Sequence, residues 1–239
     1  MFSELYTATS GMVTRQAQLD VLAHNLANVN SAAFKIEDLV SAERPIPTAL
    51  GPVRAPAHVG TAGRWTDFSP GQLHATGESM DVALGAEGFF VIQAPTGVRL
   101  TRDGGFSLDG EGRLVLRGMP VLGRGGEIRL AEGSVEIRED GTVRQGGREV
   151  GRLRVVTVAT PQDLVREGQG LFVAPEGAAQ REVSDPLVLQ GHVELSNANA
   201  VRLMVQMIDV VRGFEMHQKM LQTLDRLGEK AVQELGRVA

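Results

Sequence analysis

The stretch SNANAVRLMVQMIDVVRGFEMHQKMLQTLDRLGEKAVQELGRVA, residues 196–239, decides how the rest of the chain is read. Leu203, Met207, Val210, Phe214, Leu221, Leu224, Ala231, Leu235 and Val238 alternate steps of four and three along it. That run of about five heptads predicts one long helix. Only His217 and Gly228 interrupt the seam. A stripe this narrow asks for partner helices rather than a sheet; an ordinary C-terminal helix lying on its own domain's core is the alternative. Met204, Ile208 and Val211 add a partial second stripe. It predicts that the first half of this helix meets two neighbours at once.

The other end of the chain repeats the pattern. Leu5, Ala8, Met12, Leu19, Leu22, Leu26 and Val29 again alternate threes and fours, with Arg15 the one polar intruder. Gly11 weakens this helix by about 1 kcal/mol relative to Ala, so packing rather than propensity must hold it. Asn25, Asn28, Asn30 and Ser31 crowd its end. Asparagine tolerates a left-handed helix stop, and a cap is one reading of the cluster. Asn25 and Asn28 also share a helix face, which allows hydrogen bonds to a neighbouring chain.

Between the helices the character changes twice. Pro45, Pro47, Pro52, Pro56 and Pro70, with Gly51, Gly60, Gly63 and Gly71, exclude long helix and central strand. This segment predicts an extended linker with short edge strands, pinned by Trp65 and Phe68. From Asp81 onward, short apolar and alternating runs such as Gly88-Phe89-Phe90-Val91-Ile92 and Leu153-Arg154-Val155-Val156-Thr157-Val158 predict strands. Asp103-Gly104, Asp109-Gly110 and Asp140-Gly141 are read as hairpin turns, because both residue types tolerate positive φ.

The expected fold class is therefore α+β: long N- and C-terminal helices packed as a coiled-coil-like layer, with an inserted all-β domain and an extended linker. The expected divisions are an N-terminal helix over 1–34, the linker over 35–75, the β domain over 76–189 and a C-terminal helix over 190–239. One antiparallel pair would leave part of the wider C-terminal stripe in water, and an exposed apolar stripe marks an association surface. Repeated head to tail, such a surface gives a helical or tubular polymer. The expected subunit interface comprises Leu5, Met12, Leu19, Leu22, Asn25, Leu26 and Asn28 of the first helix. Leu203, Met207, Val210, Phe214, Leu221 and Leu224 complete it from the last.

Composition narrows the function. A net charge of -5 without a Lys/Arg cluster argues against nucleic acid as a partner. The chain has no cysteine, which excludes disulfides and thiolate chemistry. No basic region followed by an apolar core opens the sequence, and no apolar run reaches membrane-spanning length, so neither a cleaved signal nor membrane insertion is expected. The five histidines, His24, His58, His74, His192 and His217, show no metal-ligand spacing. Gly123-Arg124-Gly125-Gly126 lacks the context of a phosphate loop, and no G-x-S-x-G occurs. No catalytic residue, metal or cofactor is expected.

Several motifs carry a resemblance. Leu19-Asp20-Val21-Leu22-Ala23-His24-Asn25-Leu26-Ala27-Asn28-Val29-Asn30, ending in Phe34-Lys35, resembles the N-terminal signature of bacterial flagellar axial proteins. These are the rod, hook and hook-associated proteins. Gly191, Glu194-Leu195-Ser196-Asn197-Ala198-Asn199, Met207-Ile208, Arg212 and Phe214-Glu215 resemble the C-terminal partner signature. Met80-Asp81-Val82-Ala83-Leu84, Gly88-Phe89-Phe90, Thr101-Arg102-Asp103-Gly104 with Phe106, and Met119-Pro120-Val121-Leu122-Gly123 resemble the β domain shared by rod and hook proteins. The likeness covers nearly the whole chain and is greatest with the proximal-rod branch. One departure stands before Phe34-Lys35: Ser31-Ala32-Ala33 replaces the usual Thr-Pro-Gly.

The resemblance implies a structural, non-enzymatic subunit of the basal-body rod. It would polymerise through its terminal helices with copies of itself and with other rod proteins. It further implies export by the flagellar type III apparatus without signal cleavage, into a rod that spans the periplasm. A distal-rod or hook-type protein is the alternative within the family. A secreted β-rich enzyme or glycan-binding module is the alternative from another class; clustered acids or aromatics on one β face would favour it.

Overall fold

The computed structural model describes residues 2–44 and 58–238, with side chains described over 9–40 and 63–230 and at Gln233. Helix α1 (Phe2–Ala27) opens the described chain and helix α2 (Ala200–Val238) closes it. Among the described residues between them, twenty strands and one short 3-10 turn make up the regular structure. The expected α+β fold with a coiled-coil-like helical layer is therefore corrected to a predominantly β chain with one helix at each end. The heptad stripes misled because they report each helix's own surface and not the number of helices available to cover it. A layer needs several helices side by side; the described residues supply two, and α1 is the shorter. A hairpin takes up further surface of α1.

That hairpin lies where the sequence predicted an extended linker. Strand β1 (Glu37–Arg44) pairs antiparallel with β2 (His58–Thr66), from Glu37 opposite Thr66 to Arg44 opposite His58, with a register shift between Val40 and Ser41. The hairpin packs on α1, which also packs along α2. Pro45, Pro47, Pro52, Pro56 and Gly51, on which the linker reading rested, lie outside the described residues. Two compact units result. One gathers Met1–Ala27, Glu37–Thr66 and Asn199–Ala239; the other gathers Asn28–Ile36 and Asp67–Ala198.

The second unit is built on a six-stranded antiparallel sheet. From edge to edge its strands are Val165–Gly168, Leu171–Val173, Gly97–Thr101, Phe89–Ala94, Val155–Val158 and Gln180–Glu182. The run Phe89-Phe90-Val91-Ile92 is apolar at every position because its strand is buried on both faces. Alternation sends Phe90 and Ile92 to one core with Val82, Leu114 and Leu153, and Phe89 and Val91 to another with Leu100, Val156 and Phe172. Phe68 closes the second core, its ring 5.7 Å from that of Phe89 and 5.1 Å from that of Phe172. Trp65, the other expected anchor, is 42% exposed on β2.

The three Asp-Gly pairs differ in what they do. Gly141 has φ +84° and turns the chain between Val135–Ile137 and Thr142–Gln145, as expected of a hairpin. Asp109 turns the chain with its own carboxylate, which accepts the N–H groups of Glu111 and Arg113 at 2.9 Å each. Asp103-Gly104 is not a hairpin turn. Its backbone lies against Val82, whose N–H donates to the Gly104 carbonyl at 2.9 Å. Glycine is needed there for closeness: a Cβ built on Gly104 would stand 1.6 Å from the Val82 carbonyl oxygen.

Candidate assembly surface

The polar residues that close the second unit come from distant parts of the chain. Beyond α1, the Ser31 N–H and hydroxyl both donate to Asn28, at 3.0 and 3.1 Å, and turn the chain. Ala33 follows with φ +54°, its N–H donating to the Glu194 carbonyl at 2.7 Å. Phe34 is buried beneath the Arg166 guanidinium, 4.7 Å from the ring centroid, and Arg166 also donates to the Lys35 carbonyl.

Lys35, Arg102 and Glu194 are all buried and meet at one point. Lys35 Nζ donates to Glu194 Oε1 at 2.5 Å and to the Ser69 carbonyl at 2.7 Å. Arg102 Nε donates to Glu194 Oε2 at 2.9 Å, and its Nη1 to the carbonyls of Ala86 and Gly88 at 2.8 and 2.7 Å. The Gly71 N–H completes the carboxylate at 2.9 Å. Such charges are tolerated in a core because each finds several partners. Burial pushes the Glu194 carboxyl up, but Arg102 and Lys35 together hold it below its ordinary value. Burial draws the Lys35 ammonium below its ordinary value, against the pull of Glu194. Asn197 seals the margin: its carboxamide accepts the Ile36 N–H at 2.9 Å and donates to the Asp67 carbonyl at 2.9 Å.

This node was missed in the sequence. Its signal is two charged residues each set between apolar neighbours, in Phe34-Lys35-Ile36 and Val193-Glu194-Leu195; Arg102, between Thr101 and Asp103, gives none. A non-glycine residue at positive φ is strained, more so if β-branched. Ala33→Val is expected to lower stability by about 2 kcal/mol, and Ala33→Gly to leave it level or raise it slightly, in equilibrium unfolding of the full chain.

The interface positions expected from sequence lie in several different settings. Asn25 is buried; its carboxamide donates to the Glu37 carbonyl at 2.7 Å and accepts the Glu37 N–H at 3.0 Å. It ties α1 to the start of β1 within the chain, where an interface with a neighbouring chain was expected. Asn28 accepts the Ser31 hydroxyl. Leu203 and Val210 are buried in the single chain. Met12, Leu19, Leu22 and Leu26 are half-buried, as are Met207, Phe214, Leu221 and Leu224. The side chain of Leu5 lies outside the described residues.

The second stripe is part of the apolar surface that the chain leaves in water. Val201, Met204, Val205, Ile208 and Val211 are exposed by 39% to 71% and share one face of α2 by their spacing. Asn199 fixes where that face begins, its side-chain oxygen capping the helix by accepting the Arg202 N–H at 3.0 Å. Among the described residues no group of three or more His, Asp or Glu is placed to hold a metal, and no helix is long and apolar enough to cross a membrane.

Comparison with known proteins gives this arrangement a family. A family model described as "Flagella basal body rod protein" matches residues 5–35. "Flagellar hook protein FlgE/F/G D1 domain" matches 83–145, and "Flagellar basal body rod FlgEFG protein C-terminal" matches 189–234. The flagellar basal-body rod protein FlgF of Caulobacter vibrioides is 34% identical over the full length of both chains. The FlgF of Salmonella typhimurium is 33% identical, with 97% of each chain covered. The chain belongs to the flagellar rod protein family. A rod protein named FlgG, from Buchnera aphidicola, is 30% identical over 98% of this chain and all of its own. The buried node draws one charged residue from each matched region of this rod-family chain: Lys35 from the first, Arg102 from the second and Glu194 from the third.

Proposed function

We propose that this chain is a structural subunit of the flagellar basal-body rod, of the proximal FlgF type, and that it works without catalysis. It assembles with copies of itself and with other rod proteins, and it reaches the rod through the flagellar type III apparatus with its N-terminus uncleaved. The FlgF type is supported by length. The FlgF of Caulobacter aligns over 247 residues, whereas the FlgG relative needs 269 and so carries sequence that this chain lacks.

The observation that carries the reading is the exposed apolar row of α2. A surface of Val201, Met204, Val205, Ile208 and Val211 gains from burial at about 25 cal/mol per Å² of apolar area, and the chain itself leaves it uncovered. Half-buried Met207, Phe214, Leu221 and Leu224 extend the contact along the helix. Leu203, Val210 and Asn25 support it from inside the chain.

Met204→Glu combined with Ile208→Glu tests this. Both positions are about half exposed, so the single chain should fold and be exported. Cells making only this variant are expected to lose swimming, with the protein present in the periplasm and absent from isolated basal bodies. Normal swimming with normal incorporation would count against the assembly role of this face.

A further inference from the structure

Arg15 on α1 and His217 on α2 interrupt the apolar seams of their helices, and Gly11 lies beside the first seam. The structure brings each of them to a glycine or to a side chain lying over one. A Cβ built on Gly11 would stand 3.1 and 3.2 Å from Cε1 and Nε2 of His217. A Cβ built on Gly213 would stand 3.1 Å from Nε of Arg15. The contacts are reciprocal: each helix offers one glycine and one long polar side chain, four residues apart, running in opposite directions. Arg15 is steadied in place by its own helix, its Nη1 donating to Gln18 Oε1 at 3.1 Å.

We infer that Gly11 and Gly213 are a pair of notches, filled by His217 and Arg15, that set the antiparallel register of α1 on α2. A slip of one turn fails in either direction. Moved one way, Gly11 faces Gly213 and both notches are left empty, which forfeits packing contacts. Moved the other way, Arg15 faces His217, two bulky groups with no recess between them, while Leu221 is brought onto Gly11. The apolar seam alone would not discriminate these states, because Leu, Met and Val repeat along it at the same spacing. The notches thus fix where along α2 the first helix sits. This pairing lies within one chain and stands whether or not the exposed face of α2 docks a neighbour.

Gly228 provides an internal control, since it lies in the same helix with nothing within 4 Å of a built Cβ. Alanine at an open helical glycine should stabilise. Gly228→Ala is expected to raise the midpoint of thermal unfolding of the full chain, followed by its helical circular dichroism signal, by about 2–4 °C. Gly11→Ala is expected to raise the midpoint less than Gly228→Ala does, despite the same gain in helix propensity, because the imidazole must give way to the new methyl. In the His217→Ala background the notch is empty, and Gly11→Ala is expected to raise the midpoint as Gly228→Ala does. A Gly11→Ala substitution that raises the midpoint equally with and without His217 would overturn the inference. So would a native chain with no cooperative helical transition, since the register would not then be set within the chain.

Discussion

Glu194→Ala is expected to destabilise the second unit by about 3–5 kcal/mol, the loss typical when one partner of a buried ion pair is removed. The carboxylate answers two buried cations, Lys35 and Arg102, and the Gly71 N–H. Its removal leaves all three without it in a site sealed from water. Lys35→Met should cost less, because Arg102 and Glu194 remain paired and methionine fills the space of the lysine stem. Urea unfolding of the full chain at neutral pH measures the difference. The sign with pH is also fixed. The Glu194 carboxyl is held below its ordinary 4.5, so its contribution is fully present above pH 4.5 and is lost as pH falls through the depressed value. Lys35 is drawn below its ordinary 10.5, so its unfavourable contribution is relieved as pH rises toward 10.5. Glu194→Gln should flatten the acid limb of the stability curve. An unchanged acid limb would show that the node does not hold the unit together.

Gly104→Ala should be at least as damaging. A methyl there would overlap the Val82 carbonyl, with its oxygen at 1.6 Å and its carbon at 2.7 Å, and would press on the Phe90 ring at 3.2 Å. Val82 cannot retreat cheaply, because it is fully buried in the main core and its strand is paired at Gln190. Overpacking usually costs about 1–3 kcal/mol; here main chain rather than a side-chain tip must move, so the loss should reach or exceed the top of that range. Gly110→Ala is the matched control, with nothing within 4 Å of its built Cβ, and should change little. Equal stabilities for the two variants would mean that the close approach of Gly104 to Val82 is absent in solution.

These two sites mark where local sequence reasoning stops. Asp103-Gly104 and Asp140-Gly141 are the same dipeptide, yet one is pressed flat against Val82 and the other turns a hairpin at φ +84°. Only the strand that arrives from elsewhere distinguishes them. Phe89-Phe90-Val91-Ile92 was legible as strand because four apolar residues in a row, two of them aromatic, suit a sheet buried on both faces. The heptad spacing at each terminus was legible as an apolar stripe but gave the wrong fold class, since periodicity counts neither helices nor the strands that cover them. The β1–β2 hairpin hid behind prolines that stand between its strands. The node was invisible for a related reason: Lys35 and Glu194 are 159 positions apart, and nothing local to either announces the other. Met204, Ile208 and Val211 already stood apart from the seam in the sequence, and the single chain leaves them exposed.

The most direct test of the assembly role uses the absence of cysteine from the chain, which lets a single introduced thiol report without interference. Ile208→Cys places one on the outward face of α2, where the native residue is 52% exposed. Reaction with a maleimide is measured on the isolated full chain and again on basal bodies that contain it. The expected result is rapid labelling of the isolated chain and strong protection in the basal body, as a neighbouring subunit covers the face. Equal labelling in both, with the variant incorporated and the cells swimming, would contradict it.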